Sequence, residues 1–245
     1  MRVLAHLSDL HFGRIDPAAL EPLRRRVVEL APDLVVISGD LTQRARARQF
    51  REARAFLDSL PRPQVVVPGN HDVPLYNVLA RFLRPLGGYR RAIGADVEPS
   101  YLDDEIAVLG VNSARALTFK GGRVNGAQLE RVQQALAGLP PGVVRIVVTH
   151  HPFEAPERLA GRGVDVVMTG HVHAASAAGR AVLVVQAGTA TSSRTRETPN
   201  SFNLLRISAR RIDVREYRLR GASFAPAARD SFQRGAAGWV RCGPA

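Results

Sequence analysis

Short apolar runs recur along the first three quarters of the chain and predict the strands of a buried sheet. They occupy residues 3–7, 34–37, 65–67, 106–111, 143–148, 164–168 and 182–186. Most are continuous and rich in β-branched residues, which is typical of parallel strands covered on both faces.

Helical patterns fill the early gaps between these runs, at residues 17–31, 45–60 and 126–138. Asp16 precedes Pro17 at the start of the first pattern, which suits an N-cap followed by proline in the first turn. Strands that alternate with helices in this way indicate βαβ units.

The later part of the chain changes character, because residues 181–186, 202–207 and 212–219 predict strands with little helix between them. We therefore expect an α/β fold in which two mixed sheets pack together and are flanked by helices. The Arg-, Gly- and Pro-containing segment 76–99 is expected to form a helix and a surface excursion near the site. Residues 1–220 form the predicted domain, and the weakly patterned residues 221–245 a loosely packed tail.

The composition and charge bear on the kind of partner and on the location of the protein, but they do not identify its function. The formal net charge is +12, which fits a polyanionic partner, but the arginines are scattered and few aromatic residues interleave with them. A nucleic-acid partner is therefore possible but not favoured. No apolar run approaches the length of a membrane span, the N-terminus leaves no room for a signal peptide, and Cys242 is the one cysteine. We expect a cytoplasmic protein with no membrane partner.

Five polar clusters follow the apolar runs and hold six of the seven histidines. They read Ser8-Asp9-Leu10-His11, Gly39-Asp40, Gly69-Asn70-His71-Asp72, His150-His151-Pro152 and Gly170-His171-Val172-His173. Carboxylate, amide and imidazole ligands concentrated at strand ends predict a two-metal hydrolytic centre. His6 lies inside the first strand and is expected to be a hydrogen-bonded core histidine.

Each cluster offers ligands in a usable arrangement. Asp9 and His11 are two residues apart, so in an extended backbone both would project from one face, and His171 and His173 repeat that spacing. Asp40 can bridge two ions through its two oxygens, and Asn70 adds a neutral oxygen ligand.

These ligands also predict the chemistry. Two divalent ions, two carboxylates and a bridging hydroxide leave about one net positive charge, which attracts a phosphodiester. The bridging hydroxide is the expected nucleophile for in-line attack. His71 is expected to assist the leaving group, with Asp72 fixing its tautomer or favouring its charged form.

The ordered set of clusters resembles the calcineurin-like metallophosphoesterase superfamily, and in detail its bacterial class III branch of cyclic-nucleotide and glycerophosphodiester phosphodiesterases. The resemblance implies a four-layer α/β-β/α sandwich with a dinuclear Mn, Fe or Zn centre. It assigns one ion to Asp9, His11, Asp40 and His173, and the other to Asp40, Asn70, His150 and His171, with His71 catalytic. The residues alone leave His150 and His151 equivalent as ligands; the resemblance selects His150.

Several alternatives stay open at this point. Arg14, His151, Arg194 and Arg196 are candidate substrate contacts, although the segment around Arg194 equally suits a solvated polar turn. The expected activity is hydrolysis of a small phosphodiester by a monomer or homodimer. The alternatives are a nuclease-type or phosphomonoesterase member of the same superfamily, and a metal-loaded scaffold, against which the intact His71 argues.

Overall fold

The computed structural model describes residues 1–118, 121–153, 155–193 and 198–242. The strands are β1 Arg2–Leu7, β2 Leu34–Ile37, β3 Gln64–Val66, β4 Ser100–Leu102, β5 Ile106–Gly110, β6 Val144–Val148, β7 Val166–Thr169, β8 Ser176–Ala178, β9 Leu183–Gln186, β10 Ser201–Ile207, β11 Arg211–Arg220, β12 Ser223–Gly235 and β13 Gly238–Cys242. The helices are α1 Pro17–Leu30, α2 Ala47–Asp58, α3 Val78–Leu83, α4 Gly87–Ala92, α5 Gly126–Leu136 and α6 Glu157–Ala160.

The strands form two mixed sheets, as the sequence predicts. One sheet has the order β13-β12-β11-β10-β1-β2-β3, and the other has the order β4-β5-β6-β7-β9-β8. In the first, β1, β2 and β3 are parallel while β10 to β13 run antiparallel to their neighbours. In the second, β5, β6, β7 and β9 are parallel.

Three hydrophobic clusters separate four layers. The central cluster joins the inner faces of the two sheets, for example Val36 of β2 and Ile146 of β6. A second cluster packs the outer face of the first sheet against α1 and α2, and a third packs the outer face of the second sheet against α5 and α6. Because each sheet is covered on both faces, its strands are apolar at successive positions.

The predicted helices form with shifts of at most two residues at their ends. Asp16 caps α1, since its side chain accepts a hydrogen bond from the backbone N–H of Ala18 at 3.0 Å. Segment 76–99 forms α3 and α4, as expected of a surface excursion. Within the described part of the chain, no helix is both long enough and apolar enough to cross a membrane.

The tail is not loosely packed, which corrects one expectation. Residues 223–242 form β12 and β13, which extend the first sheet, and β12 pairs with β11 over nearly its whole length. Phe224, Phe232 and Trp239 are buried in the same clusters as the rest of the domain. The pattern was weak because only a few widely spaced side chains in these strands reach the core.

Candidate metal centre

The five polar clusters meet where the carboxyl ends of parallel strands from both sheets come together. Asp9 and His11 follow β1, Asp40 follows β2, and the 3-10 turn Asn70–Asp72 follows β3. His150 follows β6 in the second sheet, and the pair His171 and His173 follows β7. The centre therefore lies across the junction of the two sheets.

Many of the candidate ligands occupy the left-handed region of backbone conformation. The φ angles are +54° at Asp9, +53° at His11, +53° at Asp40, +72° at His171 and +65° at His173. Non-glycine residues rarely adopt such angles, and strained backbone of this kind clusters at functional sites. The extended geometry expected for Asp9 and His11 is therefore wrong; a sharp turn at each residue brings the two side chains together.

The first ligand group is Asp9, His11 and His173. The Oδ1 atom of Asp9 lies 3.4 Å from Nε2 of His11 and 3.0 Å from Nε2 of His173. The other oxygen, Oδ2, accepts hydrogen bonds from the hydroxyl of Ser8 at 2.6 Å and from the backbone N–H of His171 at 3.0 Å. One oxygen thus fixes the carboxylate while the other faces the two imidazoles.

The second group is centred on His150. Its Nε2 atom lies 3.2 Å from Oδ1 of Asn70, 3.3 Å from Nδ1 of His171 and 3.3 Å from Oδ2 of Asp40. Its Nδ1 atom lies 2.7 Å from the carbonyl oxygen of Ser38. A carbonyl only accepts, so Nδ1 carries a hydrogen, and Nε2 is the nitrogen that faces the group.

Asp40 connects the two groups. Its Oδ2 atom lies 3.3 Å from Nε2 of His150 and 3.7 Å from Nε2 of His11, while Oδ1 accepts a hydrogen bond from the backbone N–H of His71 at 2.8 Å. A single oxygen therefore reaches both groups, rather than one oxygen for each ion as the sequence suggested.

The separations of 3.0 to 3.4 Å within the two groups fit bound cations, while the 3.7 Å between Oδ2 of Asp40 and Nε2 of His11 is slightly longer. Ligand atoms about 2.1 Å from one ion lie about 3.0 to 3.4 Å from each other in octahedral or tetrahedral geometry. In addition, Oδ1 of Asp9 and Nε2 of His11 are buried and have no hydrogen-bond partner within the described structure. Buried polar atoms in that state are destabilising, and a cation between them removes the penalty.

The charges of the metal-free protein support the same assignment. Burial raises the pKa of a carboxyl, but the neighbouring imidazoles of His11 and His173 outweigh this effect and hold the pKa of Asp9 well below its usual range. Burial acts on Asp40 in the same way, but the charge of His150 keeps the pKa of Asp40 low. Burial lowers the pKa of His150, yet Asp40 raises it to about 9. A proton on His150 thus partly takes the place of a metal ion.

Glycines allow the loops to approach this closely. Gly39 has a φ of +96°, and a Cβ atom there would lie 2.7 Å from Nδ1 of His150. A Cβ atom at Gly69 would lie 2.1 Å from Oδ1 of Asp40. Contact therefore favours glycine at both positions, and at Gly39 the backbone conformation favours it as well.

His71 lies beside the two candidate ligand groups. Its ring meets the ring of His11 edge to face, with centroids 4.9 Å apart. Its Nδ1 atom lies 2.9 Å from the carbonyl oxygen of Gln43, which fixes the hydrogen on Nδ1. Nε2 is therefore the nitrogen that can exchange a proton with a substrate.

Asp72 does not orient His71, which corrects the role expected from its position. Its Oδ1 atom accepts hydrogen bonds from the backbone N–H and hydroxyl of Thr42, and Oδ2 accepts from the N–H groups of Leu41 and Gly69. Burial and the charge of Asp40 raise the pKa of Asp72 to about 6. Asp72 therefore ties the Asp40 loop to the Asn70 loop.

The remaining histidine and arginine candidates differ in their burial and their contacts. His6 is fully buried, with Nε2 2.9 Å from the hydroxyl of Ser38. Burial lowers its pKa to about 3, so it is a neutral core histidine. His151 is buried against Ser113, and its ring centroid lies 4.6 Å from that of His171. Arg14 is exposed beside the first ligand loop. Arg194 and Arg196 lie outside the described residues.

Three residues that the sequence reasoning missed position the ligands. Ser8 holds the carboxylate of Asp9, Ser38 accepts from His150 through its carbonyl, and Gln43 accepts from His71 through its carbonyl. Ser8 opens the first cluster and Ser38 directly precedes the second, which is only a weak signal of their roles. The backbone carbonyls gave none, since any residue supplies one.

Comparison with known proteins identifies the family of the chain. Residues 2–175 match the model of the family described as calcineurin-like phosphoesterase. The chain is 34% identical over 171 residues to the glycerophosphodiester phosphodiesterase GpdQ of Enterobacter lignolyticus, covering 61% of this chain and 56% of that protein. It is 26% identical over 205 residues to a probable cyclic nucleotide phosphodiesterase of Synechococcus, covering 72% of this chain and 75% of that protein.

A third relative is a zebrafish (Danio rerio) transmembrane protein with a metallophosphoesterase domain, which is 30% identical over 180 residues. That match covers 70% of this chain and 40% of the relative. The chain thus spans about half the length of the first curated relatives that it matches.

Solved structures share the fold at low identity. A purple acid phosphatase from yellow lupin seeds superposes with a TM-score of 0.71 at 12% identity, covering 96% of this chain and 54% of that one. A dimetal phosphatase from Danio rerio gives 0.64 at 13% identity, covering 92% and 98%. Since the family model also covers most of the chain, the chain belongs to the calcineurin-like phosphoesterase family.

Proposed function

We propose that the chain is a metal-dependent phosphodiesterase with a dinuclear centre at the junction of the two sheets. The observation that carries this proposal is the position of Asp40 Oδ2, which lies 3.7 Å from the imidazole of one ligand group and 3.3 Å from that of the other. The phosphodiesterase names of two relatives support it.

The residues would hold two ions of Mn, Fe or Zn type. Asp9, His11 and His173 would hold one ion, Asn70, His150 and His171 the other, and Asp40 both. When bound, such ions neutralise phosphate charge and bring the pKa of water towards neutrality. The mixed nitrogen and oxygen donor set suits all three metals.

The chain itself fixes the geometry for this chemistry. Ser8 and the backbone N–H of His171 hold Asp9, and the backbone N–H of His71 holds Asp40, so neither carboxylate has to reorganise when a substrate binds. Groups held in place before the reaction lower the reorganisation cost of the transition state.

His71 supplies the proton for the leaving alkoxide. Its Nδ1–H is committed to the Gln43 carbonyl, so the proton it gives comes from Nε2 of the imidazolium form. The carbonyl stabilises that form, because it accepts a hydrogen bond from the positive ring.

A cavity of about 570 Å³ beside the centre would take the rest of the substrate. It is lined by residues that include Ser113, Arg123, His151 and His171. Its size suits a small diester such as a nucleotide or glycerol ester. His151 is proposed to contact the substrate there, and Arg14, Arg194 and Arg196 to contact phosphate.

Turnover of a substrate panel by the manganese-loaded protein tests the proposal. Cyclic nucleotides, glycerophosphodiesters, an oligonucleotide and phosphomonoesters are compared. We expect hydrolysis of the small diesters above the others. Dominant cleavage of the oligonucleotide or of the monoesters would select the nuclease-type or monoesterase alternative, and the absence of turnover on every substrate would favour the scaffold.

His71→Ala tests the proton donor. We expect kcat to fall by about 10²- to 10⁴-fold on an alkyl diester and much less on an activated aryl diester, whose leaving group needs little protonation. Bound metal, measured by elemental analysis, should stay near that of the wild type. Full activity of the variant on the alkyl diester would contradict the assignment.

Location and assembly remain predictions. We propose a cytoplasmic protein, in keeping with its single cysteine, acting as a monomer or homodimer.

A further inference from the structure

Helix α3 has its polarity reversed relative to an ordinary surface helix. Arg81 is only 3% exposed, whereas Val78, Leu79, Phe82 and Leu83 are 54% to 72% exposed. At 100° per residue these four apolar side chains span one face of the helix, and Arg81 lies outside that face. Amphipathic helices normally bury the apolar face, whereas the described residues leave this face uncovered, which indicates a partner.

Exposed apolar surface concentrates at this helix. Eleven large hydrophobic residues in the described part of the chain are exposed, and five of them lie between Tyr76 and Leu83. Scattered exposed hydrophobic residues are ordinary, but a contiguous group marks an interaction site. We call Tyr76, Val78, Leu79, Phe82 and Leu83 the α3 face.

Hydrogen bonds of Arg81 and Asn77 hold helix α3, and with it the α3 face, in place. The guanidinium group of Arg81 donates hydrogen bonds to the carbonyl oxygens of Ala116 at 2.6 Å, Pro74 at 2.9 Å and Thr118 at 2.8 Å. Asn77 also caps the helix, since its side chain accepts from the N–H of Ala80 at 2.9 Å. These hydrogen bonds hold the helix in an orientation that keeps its apolar side chains on the surface.

Positive charge surrounds the α3 face. A cavity of about 670 Å³ adjoins it and is lined by Tyr76, Leu79 and Leu83 together with four arginines, Arg44, Arg46, Arg84 and Arg91. None of the described residues that line the cavity is acidic. The Arg44 guanidinium stacks over Tyr76, 5.6 Å from the ring centroid. Aliphatic and aromatic side chains bordered by unneutralised arginines suit a surface that is apolar and anionic.

We propose that the α3 face docks this protein on a bilayer that contains anionic lipids. Leucine, valine and phenylalanine side chains enter the boundary between headgroups and acyl chains, and arginines beside them bind lipid phosphates. Pro74 lines the same cavity and is three residues from His71, so docking brings the candidate metal centre close to the membrane surface. A surface contact needs no spanning helix, and the proposal replaces the expectation from the sequence that the protein has no membrane partner.

The observations favour a bilayer over two other occupants. In a two-fold dimer through this face, the arginines of the two copies would face each other without acidic partners, which is unfavourable. A nucleic acid would satisfy the arginines and stack on Tyr76 and Phe82, but Leu79 and Leu83 would gain little. Of the three occupants, only the bilayer interacts favourably with both the apolar side chains and the arginines.

Vesicle flotation of the full-length protein tests the proposal. The probe is vesicles of phosphatidylcholine with about one third phosphatidylglycerol, compared with pure phosphatidylcholine. We expect binding to the anionic vesicles, at least about tenfold weaker binding to the neutral ones, and a further loss as salt rises to about 0.5 M. Equal binding to both vesicle types, or binding to neither, would overturn the proposal.

Two pairs of variants locate the contact. Leu79→Asp with Leu83→Asp removes exposed apolar surface, and Arg84→Glu with Arg91→Glu reverses charge; each pair should weaken vesicle binding at least about tenfold. Val240→Asp and Arg220→Glu, exposed positions on β13 and β11, are the matched controls and should bind as the wild type does. Unchanged binding of both α3-face pairs would also overturn the proposal.

Two further measurements separate bilayer binding from dimer formation and from the proposed activity. Sedimentation velocity detects a dimer, and a wild-type dimer that Leu79→Asp with Leu83→Asp dissociates would replace the bilayer by a second copy. Binding is measured on metal-free and manganese-loaded protein, and we expect the same affinity from both. The result is therefore independent of whether the proposed phosphodiesterase activity exists.

Discussion

The Oδ2 atom of Asp40 lies 3.3 Å from Nε2 of His150, although the two residues end strands of different sheets. Asp40 is carried by β2 of the first sheet and His150 by β6 of the second. The contact places a carboxylate and an imidazole where a shared cation would hold the two halves of the centre together. It therefore links the packing of the sheets to the proposed chemistry.

Asp40→Ala should remove this link. Because Asp40 contacts both ligand groups, we expect the variant to lose at least one of two bound ions and about 100-fold or more in kcat. Elemental analysis of the purified protein measures the metal. Asp104→Ala, at a side chain that is 84% exposed, is the control and should retain both ions. Full metal content in Asp40→Ala would contradict the assignment.

Metal binding should release a proton. Asp40 raises the pKa of His150 in the metal-free protein to about 9, so at about pH 7.5 this ligand is protonated and the ion must displace the proton. Apparent affinity should therefore rise with pH up to about 9. Calorimetric titration in buffers of different ionisation enthalpy measures the release, which we expect to include about one proton from His150.

The matched variant for that titration is His150→Gln, which carries no ionisable group at the position. It should bind the metal more weakly and release about one proton fewer. Equal proton release by the wild type and the variant would show that His150 is not the group displaced.

Asp72→Asn should destabilise the loops without touching the reacting groups. The carboxylate accepts four hydrogen bonds from Leu41, Thr42 and Gly69, and an amide turns one acceptor into a donor that faces other donors. We expect the free energy of unfolding to fall by about 2 kcal/mol. Urea denaturation of the metal-free protein measures this. Asp104→Asn is the exposed control. Equal stability of the two variants would contradict the role of Asp72 in holding the Asp40 and Asn70 loops together.

Trp239→Ala tests whether the C-terminal strands belong to the domain. Trp239 is 2% exposed and packs in the central cluster between the sheets, so its truncation should cost about 3 to 5 kcal/mol. Val240→Ala, on the same strand but 61% exposed, should cost little. A loss below about 1 kcal/mol for Trp239→Ala, measured by urea denaturation, would instead fit the loose tail that the sequence indicated.

The sequence predicted most of the strands and singled out the clustered candidate ligands because both signals are local. The run at β2, Leu34-Val35-Val36-Ile37, is continuous and mostly β-branched, and the clusters that follow the strands are rich in histidine and aspartate. Strands β12 and β13 were missed because Phe224, Phe232 and Trp239 are spaced too widely for a pattern, and distant strands decide their burial.

The sequence indicated which residues lie at the candidate site better than it indicated what each residue does there. Asp72 stands next to His71 in sequence, yet its partners are Leu41 and Thr42, about thirty residues away. The left-handed backbone at Asp9 and His11 is likewise imposed by the packed loops. The exposed face of α3 gave no warning, since its composition alone is that of a buried helix.

Anomalous X-ray diffraction from crystals grown with manganese tests the central claim most directly. The account predicts two peaks about 3.5 to 4 Å apart, one beside Asp9, His11 and His173 and the other beside Asn70, His150 and His171, with Asp40 in contact with both. One peak alone, or two peaks of which only one touches Asp40, would contradict it.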